Sequence, residues 1–206
     1  MTDLLDRIHQ LRQDNRWIFS TMLFSACLSL LASFVLSADA VTLAADPHAA
    51  LSCNLSSVLS CGTVGTSWQA SLLGFPNAFL GLAAEPVVIT IAVASLAGVA
   101  FPRGFMLAAQ LVYTIGFVFA YWLFFQAMFG IGALCPWCLL VTLSTTLVFT
   151  SLTHVNIRDD NLFLPMPVSS ALQAGLRMGL DVLLVTIWLA GVVALIFWKY
   201  GAALLA

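Results

Sequence analysis

The sequence predicts an all-α integral membrane protein with five membrane-spanning helices and its two termini on opposite sides. Three observations carry this reading. The 206 residues are 62% hydrophobic and only 8% charged, where a soluble domain carries about 25% charged residues. A mean hydropathy of +1.04 leaves no room for an ordinary water-facing surface. The apolar residues also fall into five runs, each close to the ~20 residues that cross a bilayer. The net charge of -2 and the lack of a basic run with interleaved aromatics point away from nucleic acid.

In chain order, residues 1–16 carry Arg7, Arg12 and Arg16 beside Asp3, Asp6 and Asp14, with Leu4, Leu5, Ile8 and Leu11 on one side. They read as a cytoplasmic amphipathic segment lying on the membrane surface. Trp17 to Leu36 forms the first crossing. Ser37-Ala38-Asp39-Ala40 faintly resembles a signal cleavage site, but the apolar run exceeds the roughly 7–15 residues of a signal core, so an uncleaved helix is expected. Residues 38–76 form the longest extracytoplasmic segment, with Asp39, His48, Cys53 and Cys61 in a flexible, exposed loop. Its later apolar residues Trp68, Leu72, Leu73 and Phe75 pack it on the bundle as a lid.

A second crossing runs from about Asn77 to Ala100 and contains Pro86. Phe101-Pro102-Arg103-Gly104 is a tight turn, and a third crossing runs from about Phe105 to Phe129. Gly130-Ile131-Gly132 connects to a fourth helix, from Cys135 to about Leu152. Residues 154–178 are polar and Pro-containing and read as a cytoplasmic loop. A fifth crossing lies within residues 179–206, from about Gly179 to Tyr200. With the N-terminus inside, Arg7, Arg12, Arg16, Arg103, Arg158 and Arg177 are all cytoplasmic and only Lys199 is outside, as the positive-inside rule requires. Cys53, Cys61, Cys135 and Cys138 then share the outer, oxidising side.

Cys135-Pro136-Trp137-Cys138 opens the fourth helix. A helix N-terminus offers unpaired N–H groups and partial positive charge, which stabilise a thiolate, and Pro136 suits a first-turn position. A dithiol at the lipid edge releases two electrons and two protons, as many as a membrane quinone takes. Cys53 and Cys61 supply a second pair. The expected path runs from a partner dithiol through the loop pair and the helix pair to quinone. Structural disulfides in a non-catalytic membrane protein are the alternative. Zinc is not expected, because C-x7-C with a distant C-x2-C is poor ligand spacing. Cys27 reads as a small buried hydrophobe, and His9, His48 and His154 as solvated.

Cys53-x7-Cys61, the following Ser67, the run Leu73-Gly74-Phe75-Pro76-Asn77-Ala78-Phe79-Leu80-Gly81, and Cys135-Pro136-Trp137-Cys138 together resemble the vitamin K epoxide reductase family, specifically its bacterial disulfide-forming members. The resemblance covers residues 17–153. It implies a four-helix catalytic bundle around a quinone of the menaquinone or ubiquinone type, with a fifth, peripheral transmembrane helix. It implies redox-active disulfides Cys53–Cys61 and Cys135–Cys138, with a transient Cys61–Cys135 bond. Cys53 exchanges with a thioredoxin-fold (DsbA-like) partner, Cys61 passes electrons to Cys135, and Cys138 faces the quinone. Asn77 matches a quinone-binding asparagine, and Ser67 a serine used in electron transfer. Thr142 stands where vertebrate members carry a tyrosine and is the second quinone contact. Because the chain ends after the fifth helix, the partner is expected to be a separate protein. The implied setting is the bacterial inner (plasma) membrane, with the site facing outward and disulfide formation in secreted proteins as the outcome.

The DsbB type also links a dithiol oxidase to quinone, but with C-x-x-C in its first outer loop, the reverse of the order here. A quinone or vitamin K epoxide reductase in its own right is a further alternative. Glu85, just before Pro86 in the second helix, is an intramembrane ionisable residue and hence a candidate proton relay. Asp181 reads as a helix-end charge.

Overall fold

A computed structural model describes residues 14–56 and 58–204. The surface segment expected over residues 1–16 lies outside these residues as far as residue 13. The Asp14 side chain caps the first helix by accepting from Arg16 N at 3.1 Å, the usual way to satisfy an orphaned first-turn N–H. The chain then folds into α1 (Asn15–Ala45), α2 (Cys61–Gly65), a 3-10 turn (Trp68–Ser71), α3 (Ala78–Leu96), α4 (Arg103–Phe125, continued by a π-helical segment Gln126–Ile131), α5 (Pro136–Arg158), α6 (Met166–Met178) and α7 (Leu180–Leu204).

Five of these helices are long and apolar enough to cross a membrane: α1, α3, α4 with its extension, α5 and α7. The expected spans stand, with moved ends. α1 continues well past Leu36 to Ala45, so Asp39 is helical rather than looped. α5 runs on to Arg158, and α6 occupies the second half of the segment read as the 154–178 loop. The Gly130-Ile131-Gly132 connection is mostly the last turn of the π segment. It ends where Gly132 takes φ 80°, a conformation glycine adopts without strain.

α1 lies centrally, packed along α3 and α5, and α4 packs on α5. The α1–α3 approach is close because a Cβ at Gly81 would sit 2.1 Å from Ser33 Oγ. Small residues at such seams let helix backbones approach, which is how helices associate in lipid. α7 is peripheral: none of its most apolar window is buried within the chain. It is held at its ends, by Tyr200 OH donating to Met128 O at 2.9 Å and by His154 Nδ1 lying 2.8 Å from Asp181 Oδ2. That pair corrects one expectation, since His154 is buried rather than solvated; Asp181 lies in the first turn of α7, the helix-end charge expected, and also meets a partner on α5. Cys27 is exposed on α1, not buried, so it takes no part in the core.

The two ends of the bundle differ. One end carries Arg103 and Arg158, with Arg103 bridging to Asp160 Oδ2 at 3.1 Å and Arg158 to Asp159. Beside them Asn156 donates to Gln110 Oε1 at 2.9 Å and accepts from Asn161 at 3.1 Å. The other end carries the cysteines.

Candidate functional site

The cysteines are brought together by a small piece of backbone pairing. Leu59 and Leu134 form an isolated parallel bridge. Leu134 N donates to Val58 O at 2.7 Å, and Ser60 N donates to Leu134 O at 2.9 Å. Each strand residue is followed at once by a helix start. Ser60 caps α2 by accepting from Thr63 N at 3.2 Å, placing Cys61 in its first turn. Cys135 caps α5, its Sγ accepting from Cys138 N at 3.4 Å. The bridge therefore sets Cys61 beside Cys135, with Sγ atoms 3.2 Å apart across 74 residues of chain.

Cys53 and Cys61 are joined in a disulfide. Cys135 and Cys138 are thiols in this structure. Three sulfurs thus follow one another, Cys53–Cys61···Cys135, with Cys138 one turn further along α5. The expected flexible, exposed loop pair is not what forms: Cys53 is 6% and Cys61 3% exposed. The reason is apolar cover. Leu43 from the extended end of α1 and Leu51 close over the sulfurs, flanked by Leu36, Val64 and Trp137. The Cys135 thiol is held below the usual cysteine range, first by the Cys138 side chain donating to it, against the opposing effect of burial, and also by the first backbone N–H groups of α5.

Asp39 belongs to this cluster and escaped the sequence reading. Its Oδ2 lies 3.6 Å from Cys53 Sγ, and its carboxylate and the Cys53 and Cys61 sulfurs lie within 4.8 Å of one another. With both sulfurs in a disulfide, the three offer no pair of thiolates to a metal ion. The available signal was its position: fourteen residues before Cys53, at the exit of a helix that need not stop at the membrane edge.

The other candidates are held by hydrogen bonds of their own. Ser67 Oγ donates to Val64 O at 2.6 Å and fastens the turn between α2 and the 3-10 turn. Asn77 Nδ2 donates to Gln69 O at 2.6 Å, while its Oδ1 is buried without a partner. Thr142 is buried, one turn below Cys138, and its hydroxyl donates to Cys138 O at 2.9 Å. Deeper still, Glu85 is 4% exposed. Its Oε1 accepts from Ser29 at 2.8 Å and Tyr113 at 3.3 Å, and its Oε2 is buried without a partner. The structure gathers the four cysteines and sets Ser67 close behind Cys61 in the chain. Glu85 lies two turns of α3 beyond Asn77.

The fold and the cluster define a class: a multi-pass membrane protein in which a disulfide abuts a thiol pair at a helix start. Residues 20–153, more than half of the chain, match the Vitamin K epoxide reductase family, and the chain belongs to that family. The match takes in all four clustered cysteines and the first four membrane helices, and leaves out α7. Membership and the cysteine pair together indicate an oxidoreductase with a redox role. Comparison with curated proteins gives no match.

Proposed function

We propose that this protein is a membrane thiol–disulfide oxidoreductase. It takes two electrons from an extracytoplasmic thioredoxin-fold (DsbA-like) dithiol and delivers them to a menaquinone- or ubiquinone-type quinone, supporting disulfide formation in secreted proteins. The observation that carries this is the line of sulfurs, with the Cys135 thiol 3.2 Å from the Cys61 end of the Cys53–Cys61 disulfide. The setting is the bacterial inner membrane with the cysteine end outward, supported by the grouping of arginines at the opposite end.

The relay balances as a series of exchanges. A partner thiolate attacks Cys53 Sγ; the Cys53–Cys61 bond breaks and Cys61 leaves as thiolate. Cys61 attacks Cys135 of an oxidised Cys135–Cys138 pair, which frees Cys138. The partner's second thiol then resolves its bond to Cys53 and leaves oxidised. Cys53, now a thiolate, attacks Cys61, re-forming Cys53–Cys61 and releasing Cys135. The end point has an oxidised outer pair and a reduced inner pair, the state this structure holds. Ser67 keeps α2, and so Cys61, fixed during these exchanges through its bond to Val64 O.

Cys138, Asn77 and Thr142 would hold the quinone. The fit rests on Asn77: its unpartnered Oδ1 can accept from a quinol hydroxyl, and the second N–H of its amide can donate to a quinone oxygen. A bound quinone supplies a two-electron, two-proton acceptor. Glu85 serves as the proton-holding group, with Ser29 and Tyr113 fixing one carboxylate oxygen and the other left open. Burial of a polar atom without a partner costs about 1–3 kcal/mol, so such an atom marks a site where a partner comes and goes.

The test is a mixed-disulfide trap. A reduced thioredoxin-fold probe lacking its second active-site cysteine is incubated with the purified protein, and the adduct is mapped by mass spectrometry. The expected adduct is at Cys53; an adduct at Cys135 would overturn the order of the relay.

A further inference from the structure

Asp39 is the charged side chain that touches the sulfur line, with Oδ2 3.6 Å from Cys53 Sγ. The two ends of that line are electrostatically unlike. At the far end, Cys135 Sγ accepts from the first-turn N–H of Cys138, at 3.4 Å, at the positive end of a long helix. At the near end, Cys53 faces a carboxylate. A negative charge is therefore tolerated on Cys135 and opposed on Cys53.

We propose that Asp39 is the directing residue of the relay: its carboxylate disfavours thiolate on Cys53 and so drives the last exchange toward Cys53–Cys61 and a free Cys135. The inference rests on the relay reading above. In the step concerned, the Cys53 thiolate left by the departing partner attacks Cys61. The Cys53–Cys61 bond forms, the Cys61–Cys135 bond breaks, and the electron pair leaves with the Cys135 sulfur. Among the described residues, the Cys53 and Cys61 sulfurs lie within 4.8 Å of the Asp39 carboxylate, and its charge also reaches Cys135. Its influence on Cys135 is the weakest of those acting there, behind the Cys138 thiol and the helix N–H groups. The net bias therefore points away from Cys53. The position at the helical end of α1 is what makes this work, because a carboxylate on a mobile loop would be screened and unplaced.

The experiment needs neither quinone nor partner, so its outcome is separate from that of the quinone reading. In a Cys138→Ser background the inner pair cannot close, and Cys53, Cys61 and Cys135 share a single disulfide. The full-length protein is equilibrated at about pH 9, above the ordinary thiol pKa, then acid-quenched, alkylated and mapped. With Asp39 present, Cys53–Cys61 should predominate. Asp39→Asn should raise the ratio of Cys61–Cys135 to Cys53–Cys61 by up to about fourfold, the gain open to a thiol of ordinary pKa once it ionises freely. Asp39→Glu should restore the parent ratio, which a purely packing role would not do. An unchanged ratio in Asp39→Asn, or equal shifts in Asn and Glu, would overturn the proposal.

Discussion

The two ends of the bundle are both rich in polar side chains, yet they handle them differently. At the arginine end, Asn156, Gln110 and Asn161 satisfy one another, with Met106 O and Thr153 completing the set. Buried polar atoms there are spent on locking α4 to α5. Toward the cysteine end and in the middle of the bundle, polar capacity is left over: Asn77 Oδ1, Glu85 Oε2 and Ser25 Oγ are buried without partners among the described residues. The sulfurs themselves are held by a backbone bridge, two helix caps and a small Asn54–Ser60–Thr63 set of hydrogen bonds around Cys61. The contrast teaches that closed networks fix the fold, while open ones mark where a ligand or a proton is exchanged.

This comparison can be broken by substitutions at each end. The largest effect is expected from Asn156→Leu, which strands Gln110 and Asn161. It should cost about 3 kcal/mol of stability, read as a lower unfolding midpoint in detergent, with turnover per folded molecule retained. Asn77→Leu should do the reverse. Stability should fall by only about 1 kcal/mol, for the lost bond to Gln69 O, while quinone reduction falls about tenfold, the equivalent of one neutral hydrogen bond in the transition state. If Asn77→Leu proves the more destabilising and Asn156→Leu the more disabling, the division of labour is wrong.

A third, smaller effect sharpens the sulfur chemistry. The Cys135 thiol is held low chiefly by the Cys138 side chain. A lowered pKa means that the thiolate survives to lower pH, so Cys138→Ala should move the pH midpoint of Cys135 alkylation upward and slow its labelling near neutrality several-fold. An unmoved midpoint would show that the α5 N-terminus alone activates Cys135. The smallest effect belongs to Arg103→Gln. The Arg103–Asp160 pair is half exposed, so its loss should cost less than about 1 kcal/mol.

Much of this was legible in the sequence. Five apolar runs gave the five crossings because hydrocarbon demands long apolar helices whatever their partners. The cysteine spacing and the Asn77 run carried the family, which the match over residues 20–153 bears out. What escaped were contacts between distant residues. The His154–Asp181 pair spans 27 positions and left no local trace. The bridge from Leu59 to Leu134 is two ordinary leucines. The burial of Cys53 and Cys61 depends on Leu43 and Leu51, which read as loop residues because Asp39 and its neighbours looked like the end of a membrane span. Helical propensity carried α1 through them to Ala45, and with it the carboxylate that now sits at the sulfur line.

The central claim is that the inner thiol pair hands its electrons to quinone through Cys138. The direct measurement is quinone reduction by the purified protein supplied with a reduced thioredoxin-fold probe, comparing the parent chain with Cys138→Ala. The account expects turnover to fall to background in the variant while the Cys53 adduct with the probe still forms. Undiminished turnover in Cys138→Ala would contradict it.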